Sequence, residues 1–103
     1  MDFQEFILKV KELAGCGQIE EDILKIPLGL TYTVSFDGET AYVQFMNENA
    51  VMVEFGKEET KVVFSKGKGV EKELKWDVVR AMGLMFSVED GFLVISDGSL
   101  FHH

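Results

Sequence analysis

The stretch Leu30–Phe64, LTYTVSFDGETAYVQFMNENAVMVEFGKEETKVVF, decides the fold. Leu30, Tyr32, Val34 and Phe36 alternate with polar residues, the period of a half-buried strand. Asp37-Gly38 follows, and both residue types tolerate the positive φ of a two-residue hairpin loop. Such a loop pairs Phe36 with Glu39, so Val34 faces Ala41, Tyr32 faces Val43 and Leu30 faces Phe45. A three-residue loop Asn47-Glu48-Asn49, with Asn49 left-handed, pairs Met46 with Ala50, Phe45 with Val51 and Val43 with Val53. A four-residue loop Gly56–Glu59 then pairs Phe55 with Thr60, Val53 with Val62 and Val51 with Phe64. Three successive hairpins keep one apolar face, and a one-residue slip in any of them would turn that face to solvent. The stretch therefore predicts a four-stranded antiparallel meander over roughly 30–65.

Upstream, Phe3, Phe6, Ile7, Val10, Leu13 and Ala14 follow the spacing of one helical face, which predicts a helix over Asp2–Ala14. Asp2 caps it, with Glu5 as the box partner, and Gly15 and Gly17 end it. Gln18–Ile26 reads as a second short helix with Ile19, Ile23 and Ile26 on one side, stopped by Pro27. Downstream, Lys66-Gly67-Lys68-Gly69 is a loop. Val70, Leu74, Val78, Ala81 and Met82 share a helical face, Glu71 and Lys75 form an i, i+4 pair, and Gly83 stands where a C-cap belongs. A strand over Val70–Trp76 is the competing reading, but the simplest hairpin would set Glu71 and Glu73 against Phe64 and Val62. Leu84, Phe86 and Val88 then lead into a Glu89-Asp90-Gly91 turn, after which Phe92 and Val94 face Val88 and Phe86. Asp97-Gly98-Ser99 turns the chain into its tail.

The expected architecture is one compact α+β domain over 1–103. It has an N-terminal helix, a four-stranded antiparallel meander, a helix and a final β-hairpin, with about six strands in one mainly antiparallel sheet and two to three helices. This element order resembles, in topology and with no shared motif, that of small α+β secretion chaperones and related dimeric domains; function does not follow from such a likeness.

Composition narrows the function classes. The chain has 103 residues and a formal net charge of −8, which argues against general nucleic-acid binding and against anionic membranes. Its longest uncharged stretch, Ile26–Phe36, holds Pro27 and Gly29 and is far shorter than the about 20 apolar residues of a membrane-spanning helix. The N-terminus is acidic where a signal peptide would be basic. A single cysteine allows no internal disulfide and fits the reducing cytoplasm. The only imidazoles, His102 and His103, end the chain in an expected mobile tail, so neither a Ser-His or Cys-His nucleophile pair nor a Cys/His zinc site is expected. Cys16 is flanked by Glu20, Glu21 and Asp22 and has no nearby cation to favour a thiolate. Neither Glu20-Glu21-Asp22 nor Glu89-Asp90 has the ligand spacing of a calcium loop. No cofactor and no metal are expected, and the chain is read as non-catalytic.

Two surfaces ask for a partner. Tyr42, Met46, Met52, Val63, Met85, Leu93 and Ile95 all point away from the inferred inner face, blurring the apolar/polar alternation of a sheet with one solvated side. Uncovered, they would exceed the apolar patch common on monomers, and methionine suits adaptable contact surfaces. The leading reading is a protein-interaction module that uses this Met-rich face as a homodimer interface or to dock another protein. The second surface is the Lys-rich 66–80 segment. Residues 56–80 hold seven of the ten basic residues and carry net +2, against −7 for 1–55 and −3 for 81–103. There Lys66, Lys68, Lys72 and Arg80, with Trp76 to stack on a ring, would bind an anionic ligand or nucleic acid. A third reading takes the overall acidity as mimicry of a phosphate backbone, inhibiting a nucleic-acid-binding protein.

Overall fold

The computed structural model describes residues 1–57, 59–67, 73–79 and 84–98, with the backbone alone for 73–79. The first element is the expected helix, α1, Phe3–Ala14. The Asp2 carboxylate accepts the Glu5 N–H at 2.8 Å, and Gly15, at φ 75°, closes the last turn in the left-handed conformation. Phe3, Phe6, Ile7, Val10 and Leu13 are its buried stripe.

The chain then departs from its expected second helix. Gln18–Glu20 (β1) and Ile23–Pro27 (β2) form a tight antiparallel hairpin, with Glu20 paired to Ile23. Its two loop residues, Glu21 and Asp22, hold φ of 50° and 62°, the conformation a two-residue hairpin demands. The isoleucines that fit a helical spacing also fit strands, and Leu24 and Ile26, flanking exposed Lys25, are fully buried. Gly17 makes the crossing from helix to hairpin possible. Its φ is 124°, and a Cβ there would stand 3.2 Å from the Lys25 carbonyl oxygen.

The meander forms as Thr31–Phe36 (β3), Thr40–Phe45 (β4), Ala50–Phe55 (β5) and Thr60–Lys66 (β6). Its third hairpin has the expected register, Phe55 opposite Thr60 and Val51 opposite Phe64. The first two are each displaced by two residues. Phe36 pairs with Ala41 and Val34 with Val43; Val43 pairs with Val51 and Ala41 with Val53. Side chains cause both shifts. The Asp37 carboxylate accepts N–H bonds from Glu39 (2.9 Å) and Thr40 (2.7 Å), widening the first loop. In the second, Asn47 and Asn49 both donate to the Leu13 carbonyl at the end of α1, at 2.8 and 2.9 Å, and Glu48 rather than Asn49 takes the positive φ. A displacement of two preserves parity, so Ala41, Val43, Phe45, Val51, Val53, Val62 and Phe64 still enter the core.

Two further expectations are corrected. The Val70–Met82 helix is replaced by a strand, Glu73–Val79 (β7), paired to β6 with Lys66 opposite Glu73; residues 70–72 and 80–83 lie outside the described residues. The observed register sets Lys75 and Asp77, in place of Glu71 and Glu73, opposite Phe64 and Val62. Charges at those positions are compatible with a sheet edge, which β7 occupies. The final hairpin, Leu84–Glu89 (β8) and Phe92–Asp97 (β9), turns on two residues instead of three: Glu89 pairs with Phe92, and Asp90 and Gly91 hold φ of 51° and 81°. That one-residue difference flips β9. Leu93 and Ile95 enter the core, while Phe92 and Val94 leave the inner row.

The fold is α+β and antiparallel, but its strands form two sheets in place of one. The described residues give a five-stranded sheet, β3-β4-β5-β6-β7, and a four-stranded sheet, β1-β2-β9-β8. Leu24 opposite Ile95 and Ile26 opposite Leu93 join the first hairpin to the last. One apolar cluster runs through α1 and both sheets. The Phe6 ring is its hinge point, 6.2 Å from Phe64 in one sheet and 6.4 Å from Phe86 in the other. With β7 in place of a second long helix, the topological likeness to secretion chaperones loses its basis.

Candidate interaction surface

The first strand of a meander is a sheet edge unless another strand joins it. None does so among the described residues, and β3 ends the five-stranded sheet. Its sequence, TYTVSF, contains no charge, and Tyr32, Thr33, Ser35 and Phe36 are exposed. A register shift between Thr31 and Thr33 releases Tyr32 from the ladder, leaving its side chain 73% exposed. Leu30 lies just before the strand, also exposed, and its carbonyl accepts the Met46 N–H at 3.0 Å. That bond draws Met46, 59% exposed, beside the start of β3. Leu30, Tyr32, Phe36 and Met46 thus line the start and the length of one edge.

The edge is held firmly from behind. Phe36, 52% exposed, meets Phe55 edge-on at 5.8 Å; Phe55 meets Phe86 at 6.3 Å, and Phe86 meets Phe6 at 6.4 Å. A file of rings therefore runs from solvent to the centre of the core, each pair in the favourable edge-to-face arrangement. At the far end, the backbone N–H groups of Thr40 and Glu39 hold the exposed Asp37 carboxyl below its ordinary 3.8.

The residues predicted to form one Met-rich face come together only in part. Tyr42, Met52 and Val63 do share a row, since Tyr42 pairs with Met52 and Met52 with Val63, and the register continues to Trp76. Val63 is buried there; Tyr42 and Met52 are half-buried. Met46 lies beyond the end of β4, and Met85 is exposed on the other sheet. Leu93 and Ile95 are fully buried core residues and cannot meet a partner, a correction that follows from the two-residue turn at Asp90-Gly91. Conversely, Leu30, Tyr32 and Phe36 were expected inside and stand at the surface. An edge strand has a neighbour on one side only, so alternation along it does not guarantee burial.

Of the anion-binding candidates, two fall within the described residues. Lys66 is exposed at the end of β6, and Trp76 lies in β7 as the register partner of Val63, not on a helix beside Lys72. Lys68, Lys72 and Arg80 lie outside the described residues. An open cleft of about 480 Å³ at the β5–β6 turn is lined by Glu54, Phe55, Gly56, Lys57, Glu59 and Lys61, with charges of both signs. Cys16 is half-buried against the core cluster. Among the described residues, no group of three His, Cys, Asp or Glu side chains could hold a metal ion, and no helix is long and apolar enough to cross a membrane. Set against known proteins, the chain matches no family model, no curated protein and no solved structure.

Proposed function

We propose that this domain acts by binding another polypeptide rather than by catalysis, and that the contact is made along β3. The observation that carries the reading is the contrast between the two edges of one sheet. β7, ELKWDVV, carries three charged residues, the usual protection of a strand edge; β3 carries none and exposes two aromatic rings. Exposed aromatic side chains on a rigid support are the typical anchors of protein interfaces. Phe36 has that support in the file of rings behind it, so little ordering remains to be done on binding. The Met-rich character expected from the sequence enters through Met46, at the start of the same edge.

Two measurements test this reading together. Sedimentation reports whether the chain associates with itself. Selection from a random-peptide display library reports whether it captures an extended apolar segment. The expected result is self-association or peptide capture that is lost in the Tyr32→Ser/Phe36→Ser variant. A wild-type chain that stays monomeric and selects no peptide dependent on these two residues defeats the reading.

A further inference from the structure

We infer that the occupant of the β3 edge is the β3 strand of a second copy, paired antiparallel so that two five-stranded sheets become one continuous sheet across a twofold axis. The inference rests on the interaction reading above and names its partner. Every second residue of an edge strand aims its backbone N–H and C=O away from the sheet, and these groups gain most from a strand with free groups of its own. An antiparallel pair meets that need symmetrically, with the same patch on both subunits.

The sequence of β3 is self-complementary in this arrangement. A register centred on Val34 sets Tyr32 opposite Phe36 of the second copy and Thr33 opposite its Ser35. Both aromatic residues of each strand are then cross-strand partners, and the two small hydroxyl residues face one another. Charge selects the antiparallel arrangement of the two copies. Each chain carries −8, so two copies repel unless their contact keeps acidic groups apart. Antiparallel pairing does so. The acidic Asp37–Glu39 turn at one end of β3 comes alongside Gly29-Leu30-Thr31 of the other copy, which carries no charge. A parallel pairing would instead bring the two acidic turns together.

The test is mass by light scattering at tens of micromolar on three proteins. Wild type is expected at twice the 11.6 kDa chain mass. Thr33→Lys/Ser35→Lys is expected at the chain mass with an unchanged circular dichroism spectrum. Both side chains are exposed, so their replacement removes no packing, yet it sets lysines against lysines in the pair. Met85→Lys, exposed on the other sheet, is expected to remain at twice the chain mass. A monomeric wild type, or a double variant that stays dimeric, overturns the inference. A monomeric wild type that still selects peptides through Tyr32 and Phe36 overturns the second copy and leaves the interaction reading standing. If the double variant does not fold, amide exchange of the wild type decides. β3 amides whose protection rises with concentration support the pairing, and exchange independent of concentration overturns it.

Discussion

Replacing Leu93 by alanine tests the turn that decides which way β9 faces. Leu93 has no solvent exposure and pairs with Val88 on one side and Ile26 on the other, inside the cluster shared with α1. Truncating such a leucine removes its transfer energy and leaves a cavity, typically about 2–5 kcal/mol. A domain of this length is stable by roughly 5–15 kcal/mol, so the loss is a large share of the total. Phe92, the preceding residue, is 38% exposed and stands outside the core cluster; its loss should remove only about 1 kcal/mol of partial burial. In urea, with a slope of about 1.5 kcal/mol per molar, a loss of about 3 kcal/mol from Leu93→Ala lowers the midpoint by roughly 2 M, and Phe92→Ala by well under 1 M. Circular dichroism or Trp76 fluorescence follows the transition. A three-residue turn at Glu89–Gly91 would reverse the order. If Phe92→Ala lowers the midpoint as much as Leu93→Ala, the register and the burial argument built on it are wrong.

Three other outcomes follow from local geometry. Asn49→Ala removes one of two donors to the Leu13 carbonyl and the acceptor of the Gly67 N–H, 2.8 Å away, so urea unfolding should show a loss of about 1–2 kcal/mol. Glu21→Asn should raise thermal stability by up to about 1 kcal/mol, because asparagine tolerates the left-handed φ of that turn; a helix at 18–26 would give no such gain. Asp37 has a folded pKa below its ordinary 3.8, so its ionised form favours the fold. Its contribution is complete above the ordinary value and is lost as pH falls through the lowered one. The stability difference between wild type and Asp37→Asn should therefore be constant near neutral pH and change on acidification below about pH 4; a difference that does not change contradicts the bond geometry.

What could be read from the sequence depended on parity. The meander was legible because its apolar residues alternate through three hairpins, and shifts of two residues at Asp37 and at Asn47–Asn49 leave the inner face unchanged. The helix α1 was legible from its cap and stripe. The same arithmetic failed at Asp90-Gly91, where one residue more or less in the loop inverts the strand, and with it Leu93 and Ile95. It failed at Glu21-Asp22 because acidic residues in a left-handed turn carry no strong sequence mark, and Ile19, Ile23 and Ile26 satisfy both periods. Glu73–Val79 fits a helical period as well as a strand, and its charges argue against a strand only in the simplest hairpin register; the observed register at a sheet edge accommodates them. Of the seven apolar residues expected on one surface, Met46 and Met85 are exposed, while Val63, Leu93 and Ile95 are buried. Tyr32 and Phe36 alternate as core residues do, and their exposure follows from β3 having no outer neighbour among the described residues, which tertiary topology alone decides.

The most direct test of β3 as the meeting edge is an intermolecular distance. A nitroxide placed through Ser35→Cys in a Cys16→Ser background carries one label per chain. Antiparallel β3 pairing centred on Val34 puts the two labelled backbones within about 5–10 Å, from strand spacing and rise per residue. Strong dipolar broadening in the dimer is the expected result. An interchain separation approaching the 45 Å length of one molecule, or no interchain coupling at all, would contradict it.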